Sequence, residues 1–293
     1  MNSITLKAPA KVNLFLKVLK KRRDGFHEIL TLFERIGLFD IIKIKRLKKK
    51  GIRVTSDKYI VRNTRANLAY KAARILMDHC GVDEGLHIHI KKNIPIGSGL
   101  GGGSSDAAAV FKGVNTLLGL RVSGAALLKL SRQIGSDIGF FTIDRRFAIG
   151  KGKGDTLRSI NIYRKLWHLL IVPDFKCPTK DIYNALDLTL TKHTAGVKIN
   201  CFKKLKAGTG GLIDMLHNDL QRSVIEKRQK VGRIIERLAS SCGCKAIISG
   251  SGPSVFCLFG NRKEAIRARD RFLGCLPARR TMKGWRIFVV STA

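Results

Sequence analysis

The alternation of hydrophobic and polar residues along the chain predicts both strands and helices. Residues 86–91, LHIHIK, alternate with a period of two, which predicts a strand with one polar face. Residues 67–80, NLAYKAARILMDHC, instead place their apolar side chains on one helical face, and Gly81 follows as a helix stop. The first half of the chain therefore combines strand-like and helix-like segments.

The same reasoning assigns the remaining segments. In the first half it predicts strands within 4–18 around a turn at 8–10, a strand at 40–45 paired with 52–55, helices at 106–118 and 123–134, and a short strand at 138–143. In the second half it predicts strands at 167–172, 246–249, 254–258 and 286–290 and helices at 227–240 and 263–273. This order predicts an α+β fold with two domains, 1–160 and 161–293.

A glycine-rich stretch lies between the strand at 86–91 and the helix at 106–118. Residues 95–106, PIGSGLGGGSSD, contain five glycines and three serines. Glycine lets a ligand approach the backbone, and successive amides leading into a helix N-terminus form a cradle for an anion, most often phosphate. A flexible linker is less consistent with this position, because the stretch joins a strand directly to a helix.

Other phosphate-binding loops fit this stretch poorly. A Walker loop requires Gly-Lys-Ser or Gly-Lys-Thr, which the chain lacks. The spacing Gly97-x-Gly99-x-x-Gly102 matches a dinucleotide loop, but no acidic residue lies between Asp106 and Asp137 to hold a ribose. The HRD and DFG motifs of protein kinases are also missing.

Composition adds a large positive charge and few other constraints. The 293 residues include 56 Lys and Arg against 21 Asp and Glu, giving a net charge of +35, which indicates a polyanionic or phosphate-rich ligand. A basic nucleic-acid-binding module is therefore an alternative, although the dense runs at 20–23 and 43–50 contain no aromatic residues and a specific nucleic-acid partner is not expected.

Without an apolar run of membrane-spanning length or a signal peptide, we expect a cytoplasmic protein that does not bind membranes.

Several motifs, in order along nearly the whole chain, resemble those of the GHMP kinases. They are APAKVNLFLKVLKKRRDGFHEILTLF at 8–33, Asn67-Leu68, PIGSGLGGGSSDAA at 95–108, IGSDIGFF at 134–141, GKGD at 152–155, PTKDIYNAL at 178–186, HNDLQ at 217–221 and SGSGPSVF at 249–256. The resemblance implies a ribosomal S5 domain 2-like N-terminal domain and a ferredoxin-like C-terminal domain. It also implies a transferase that uses ATP and Mg²⁺.

The same motifs are most similar to the branch of that family that phosphorylates the 2-hydroxyl of CDP-methylerythritol in isoprenoid biosynthesis. A GHMP kinase for another small alcohol, of the homoserine or mevalonate type, is the alternative. The resemblance implies that Lys11 and Asp137 are catalytic, with Asp137 as the base. Taken alone, Lys11 is equally consistent with a strand-edge charge, and a helix cap is the lesser alternative for Asp137. The oligomeric state and the magnesium ligands are left open.

The remaining site residues are also implied by the resemblance. The expected ATP-binding residues are Asn67, Leu68, Lys92, Pro95, Ile96, Gly97, Ser98, Gly99, Leu100, Gly101, Gly102, Gly103, Ser104 and Ser105. Of these, Asn67, Leu68 and Lys92 are expected to line the adenine pocket. The expected substrate-binding residues are Asn13, Phe26, His27, Asp137, Thr179, Gly250, Ser251 and Gly252, with Phe26 and His27 holding the cytosine. The role of Asp106 is open, because a carboxylate beside a phosphate loop repels ATP unless it caps the helix or meets magnesium.

Overall fold

The computed structural model describes residues 1–58, 64–186, 208–275 and 284–293. Within these ranges the strands are β1 (Ser3–Lys21), β2 (His27–Leu47), β3 (Gly51–Ser56), β4 (Gly85–Lys91), β5 (Phe147–Lys151), β6 (Thr156–Ile160), β7 (Trp167–Val172), β8 (His217–Asn218), β9 (Ala246–Ile248), β10 (Val255–Phe259) and β11 (Arg286–Ser291). The helices are α1 (Leu68–His79), α2 (Gly102–Leu117), α3 (Gly124–Ser131), α4 (Ile138–Thr142), α5 (Thr179–Asn184), α6 (Gly208–Met215), α7 (Gln221–Lys227), α8 (Gln229–Cys242) and α9 (Arg262–Gly274). The α+β prediction is confirmed.

The chain divides into two compact units. The first comprises Met1–Ala10, Leu38–Ile96 and Gly101–Arg145, and the second comprises Lys11–Gly37, Gly97–Leu100 and Arg146–Ala293. Strands β1 and β2 each contribute residues to both units, and so does the glycine-rich stretch. The sequence-based boundary at residue 160 stays a prediction.

The first unit is built around a strand–helix–strand motif. Strands β3 and β4 are parallel neighbours, with Ile52 opposite Leu86, because the helix α1 between them in sequence provides the crossover. The other edge of β4 pairs antiparallel with β2, where Ile44 lies opposite Ile88. The prediction that 52–55 pairs with 40–45 is wrong, because β4 lies between these two segments.

Two other predictions for the first half are also wrong. Strand β1 is continuous from Ser3 to Lys21, and Pro9 lies inside it rather than in a turn. Proline is tolerated in a strand wherever its missing N–H is not needed by a neighbouring strand. Residues 138–142 form the helix α4 rather than a strand. A short apolar run such as IGFF does not by itself distinguish a buried helix from a buried strand.

The second unit contains an antiparallel sheet in the order β11-β7-β10-β9. Numbered along the chain these strands run 4-1-3-2, with α8 before β9 and α9 before β11, which is the ferredoxin-like arrangement. Side chains of both helices and the sheet form one buried core, which includes Leu169, Ile171, Val231, Leu238, Val255 and Phe272. The predicted strands and helices of this half are confirmed to within about two residues. Of the helices in the described ranges, none is long and apolar enough to cross a bilayer.

Candidate active site

Residues 97–100 belong to the second unit, where they pack against the turn between β9 and β10. Gly99 has a φ of +80°, and a Cβ at this position would lie 2.3 Å from the carbonyl oxygen of Ser249, so only glycine fits. The hydroxyl of Ser249 donates a hydrogen bond to the carbonyl of Gly99 at 3.1 Å. The amide of Ser254 donates to the carbonyl of Ser98 at 3.2 Å. One side-chain hydrogen bond and one backbone hydrogen bond therefore hold the two glycine-containing turns together.

Residues 101–105 belong to the first unit and open the helix α2. Gly101 is the N-cap residue, with a φ of 69°, and the helix begins at Gly102. This start lies four residues before the predicted one, because the low helix propensity of glycine hides a helical first turn in the sequence. First-turn amides have no carbonyl partner within their own helix, so the backbone of 102–104 offers N–H groups and a partial positive charge to an anion.

A buried ion cluster lies beside this first turn. The ammonium of Lys92, whose side chain is 5% exposed, donates to Oδ2 of Asp40 in β2 and, at 2.8 Å, to Oδ2 of Asp106 in α2. Oδ1 of Asp40 also accepts hydrogen bonds from the amides of Asn93 and Ile94, at 2.6 and 2.8 Å. The cluster thus joins β2, the end of β4 and the start of α2.

Burial and charge act against each other in this cluster. Burial lowers the pKa of Lys92, but the carboxylates of Asp106 and Asp40 more than offset this and raise it. Burial raises the pKa of Asp106 to about 7, although Lys92 opposes that shift. The partner of Asp106, which the sequence left open, is therefore the Lys92 ammonium. The expected role of Lys92 in lining an adenine pocket stays a prediction.

Lys11 and Asn13 lie side by side on β1 in the second unit. The ammonium of Lys11 donates to Oδ1 of Asn13 at 2.5 Å, and Nδ2 of Asn13 donates to the hydroxyl of Thr31 at 2.7 Å. The backbone amide of Lys11 donates to the carbonyl of Leu100 at 2.9 Å. A Cβ on Gly250 would lie 3.3 Å from both the Lys11 ammonium and the Asn13 carbonyl oxygen. Residues 99 and 100, Lys11, Asn13 and Gly250 thus lie close together in the second unit.

Asp137 is the residue immediately before the helix α4 in the first unit. Its side chain is half-buried and makes no capping hydrogen bond to that helix. The side chain of Asp137 therefore does not cap the helix α4, which was the alternative. Lys11 belongs to the other unit, and the pairing of the two residues stays a prediction.

Phe26 and His27 lie among aromatic and cationic side chains of the second unit. Phe26 is 56% exposed, and the ammonium of Lys153 lies 4.7 Å from the centre of its ring. The rings of His27 and Tyr183 are 5.0 Å apart and inclined by 31°. Burial, and to a lesser extent Lys21, lowers the pKa of His27, so its imidazole is neutral at pH 7. A neutral imidazole offers one donor and one acceptor to a ligand.

Two further predicted residues of the second unit contact each other. The hydroxyl groups of Thr179, at the start of α5, and Ser251 are 2.9 Å apart. A Cβ on Gly97 would lie 3.0 Å from Cγ of Lys176, so this lysine stem covers the start of the glycine-rich stretch. In the first unit, Asn67 caps α1 by accepting from the amide of Ala69 at 2.9 Å.

At Gly103 the first turn of α2 lies close to Leu68, one of the predicted ATP-binding residues. A Cβ on Gly103 would lie 3.6 Å from Leu68, which places the start of α1 against the start of α2. The sequence did not identify Asp40, Thr31, Lys153, Lys176 or Tyr183 as neighbours of the site. Thr31, Lys153 and Tyr183 do lie in three of the quoted motifs, namely the one at 8–33, GKGD and PTKDIYNAL, which was the available signal.

Two family models match the chain. The model described as the GHMP kinases N-terminal domain matches residues 67–144, which include the glycine-rich stretch and Asp137. The model described as GHMP kinases C-terminal matches residues 203–277, which include the second glycine turn.

Two known proteins are similar to this chain over nearly its whole length. A 4-diphosphocytidyl-2-C-methyl-D-erythritol kinase of Geobacter metallireducens is 40% identical over 90% of this chain and 92% of that protein. The kinase of the same name from Syntrophotalea carbinolica is 34% identical over 97% of this chain and 96% of its own length.

Solved structures of kinases are also similar to this chain. A crystal structure of 4-(cytidine 5'-diphospho)-2C-methyl-D-erythritol kinase superimposes with a TM-score of 0.80 at 28% identity, covering 99% of this chain and all of the other. Homoserine kinase from Cytophaga hutchinsonii superimposes with a TM-score of 0.65 at 21% identity, over 100% of this chain and 95% of its own. At that identity the likeness concerns the fold alone.

Proposed function

The chain belongs to the GHMP kinase family, and from this premise we propose that it transfers the γ-phosphoryl group of ATP to the 2-hydroxyl of 4-diphosphocytidyl-2-C-methyl-D-erythritol. The products are the 2-phosphate and ADP, in the non-mevalonate route to isoprenoids. The observation that carries the choice of acceptor is the 40% identity, over 90% of the chain, to a relative of that name. Homoserine and mevalonate are supported only by likeness of fold.

On the nucleotide side, the backbone of residues 97–105 is proposed to hold the triphosphate. Support comes from Gly99, where no side chain fits, and from the open first turn of α2 after Gly101. In the described part of the chain, no group of three or more His, Cys, Asp or Glu residues could hold a metal ion. We propose that Mg²⁺ would bind together with ATP and supply positive charge against the negative charge that develops on the phosphates, and we assign it no protein ligand.

On the acceptor side, Asp137 is proposed to take the proton of the 2-hydroxyl group. The freed oxygen attacks the γ-phosphorus, the bond from that phosphorus to the β–γ bridging oxygen breaks, and ADP leaves. The Lys11 ammonium, held at 2.5 Å from Asn13, would stabilise the negative charge on the attacking oxygen. Both Lys11 and Asn13 are buried, so their charge and amide act in a poorly solvated setting.

For the cytosine ring we propose a site formed by Phe26, His27 and Tyr183. The rings of Phe26 and Tyr183 offer stacking surfaces, and the neutral imidazole of His27 offers a hydrogen bond to the edge of the base. Thr179 and Ser251, whose hydroxyls contact each other, are proposed to face the erythritol end of the same substrate. Since ATP and this acceptor are both polyanions that do not cross membranes unaided, we place the reaction in the cytoplasm.

The function is tested by assaying the purified protein with ATP, Mg²⁺ and one acceptor at a time. We expect phosphorylation of 4-diphosphocytidyl-2-C-methyl-D-erythritol at its 2-hydroxyl, identified by phosphorus NMR of the product. Homoserine, mevalonate and methylerythritol 4-phosphate, which lacks the cytidine, are the matched acceptors and should react at least about 100-fold more slowly. Faster turnover of any of these three would contradict the proposed specificity.

The role of Asp137 is tested by Asp137→Asn. Loss of a general base lowers kcat by about 10²- to 10⁴-fold, and ATP binding should change little because the base contacts the acceptor. The matched control is Asp144→Asn, an exposed aspartate in the same unit. Turnover of Asp137→Asn within a few-fold of the wild type would remove Asp137 as the base.

A further inference from the structure

The cluster of Asp40, Lys92 and Asp106 has no part in the reaction steps given above. It holds one ammonium group between two carboxylates beside the first turn of α2. With both carboxylates ionised the cluster would carry a net charge of −1, although Asp106 is only 3% exposed and Asp40 is fully buried. Two buried carboxylates that share one cation do not both ionise readily, so one of them is disposed to bind a proton.

The hydrogen bonds identify Asp106 as the carboxylate that binds this proton. Asp40 accepts hydrogen bonds from three donors, namely the Lys92 ammonium and the amides of Asn93 and Ile94. Within the described residues, Asp106 accepts from the Lys92 ammonium only, so it has fewer donors to hold its negative charge. Its second oxygen, Oδ1, is buried and has no hydrogen-bond partner among the described residues. That its pKa lies at about 7 agrees with this assignment.

The cluster is connected to both ends of the glycine-rich stretch. Asp40 holds the amides of Asn93 and Ile94, which lead into Pro95. Asp106 lies in the second turn of α2, and a Cβ on Gly102 would lie 3.2 Å from the Lys92 ammonium. A change in the charge of this cluster is therefore felt where the triphosphate is proposed to bind.

Among the described residues, the helices α1 and α4 bury no charged group, and the other buried charges of β1 and β2, namely Lys11, Lys17, Glu34 and Arg35, belong to the second unit. The helices α1 and α4, which pack against α2, bury apolar side chains: Ala69, Ala72, Ala73, Leu76, Met77, Ile138, Phe140 and Phe141. The titratable groups of these elements and of the ends of β3 and β4 are exposed or partly exposed: Asp57, Lys58, Arg65, Tyr70, Lys71, Arg74, Asp78, His79, His89, Lys91 and Lys112. Water screens the charges of these exposed groups from Asp106. The buried charges of Lys92 and Asp40 are screened much less.

We propose that Asp106 is a positioning residue that takes up a proton when the nucleotide binds, so that the cluster is neutral beside the triphosphate. This inference rests on the proposed nucleotide site. The phosphates bring negative charge close to the carboxylate, which favours its protonated form. By linkage, a proton on Asp106 favours nucleotide binding to the same extent, so affinity should fall as pH rises through the range in which Asp106 ionises.

The test is isothermal titration calorimetry with the magnesium complex of a nonhydrolysable ATP analogue, at about pH 8 in two buffers of different ionisation enthalpy. The difference between the binding enthalpies measured in the two buffers gives the number of protons that the complex takes up. We expect the wild type to take up a substantial fraction of a proton more than Asp106→Asn, which keeps the shape but cannot ionise. We also expect the affinity of the wild type to fall by up to about tenfold between pH 6 and pH 8.5, while that of Asp106→Asn changes much less. The matched control is Asp83→Asn, in an exposed pair with Lys50, and it should behave as the wild type does.

Equal proton uptake in the wild type and Asp106→Asn overturns the proposal. So does a wild-type affinity that rises with pH, since a carboxylate that binds the Mg²⁺ of the nucleotide would give that sign. If Asp106→Asn does not fold, the wild type decides alone, and binding without proton uptake rejects the inference. Binding without uptake leaves the proposed kinase intact, whereas no binding of the analogue counts against both.

Discussion

Two regions of the candidate site differ in how they are built. The nucleotide region consists of residues 95–106 with Lys92 and Asp40, and its contacts are made mainly by backbone and by buried charges. The aromatic region consists of Phe26, His27, Lys153 and Tyr183, which come from three distant segments and meet through side chains, one of them 56% exposed.

Because the two regions are built differently, substitutions should affect them differently. In the nucleotide region a single added methyl group meets backbone atoms that cannot move away, and a single removed charge leaves buried ions unpaired. In the aromatic region a lost ring removes stacking area from a partly solvated site, and the rest of the site is left in place. We therefore expect large losses of stability or rate from the first region and graded losses of acceptor affinity from the second.

The largest effect is expected for Lys92→Met. This change leaves two buried carboxylates without their cation, and breaking a buried pair in this way destabilises a protein by about 3–5 kcal/mol. Urea unfolding at pH 8 measures the loss. The loss should shrink toward pH 5, because the folded variant then binds protons that the unfolded chain binds less tightly.

The control for Lys92→Met is Lys112→Met, which removes a lysine 3.4 Å from the exposed Asp144. Its effect should stay below about 1 kcal/mol. Equal losses in the two variants would mean that the buried cluster contributes no more than a surface pair.

Gly99→Ala is expected to have the next largest effect. The new Cβ would lie 2.3 Å from the Ser249 carbonyl oxygen and 2.9 Å from that of Gly252, at a φ of +80° that alanine disfavours. We expect kcat/KM for ATP to fall by about 100-fold or more, in steady-state kinetics. Gly124→Ala, at a helical position with no atom within 4 Å of the new Cβ, should be as active as the wild type. Normal kinetics of Gly99→Ala would show that the loop does not need its observed shape.

The same difference explains what the sequence could predict. The glycines at 97, 99 and 101–103 lie in one short segment, so the sequence alone could predict a loop whose backbone a ligand can approach. The pairing of Asp40 with Lys92 and the approach of Tyr183 to His27 depend on contacts between distant segments, which no local pattern encodes. The start of α2 was missed because propensity disfavours a helix that begins with glycine, whereas the observed helix begins at Gly102.

Tyr183→Ala tests the aromatic region, with an intermediate effect expected. Removing one ring from a stacked base costs about 1–3 kcal/mol, so KM for the acceptor should rise by about 10-fold or more, while KM for ATP stays unchanged. The control is Tyr163→Ala, whose side chain is 90% exposed. A Tyr183→Ala variant that changes KM for ATP but not for the acceptor would move this ring out of the cytosine site.

Lys153→Gln is expected to have the smallest effect. Its ammonium lies 4.7 Å from the Phe26 ring centre, and an exposed cation–π contact of this kind contributes about 0.5–1 kcal/mol. If the contact only orients Phe26, KM for the acceptor should rise by about two- to fivefold with kcat unchanged, and Lys151→Gln, an exposed lysine two residues away, should have no effect. A loss of kcat greater than about 10-fold would instead mean that Lys153 contacts the diphosphate or the transferred phosphoryl group.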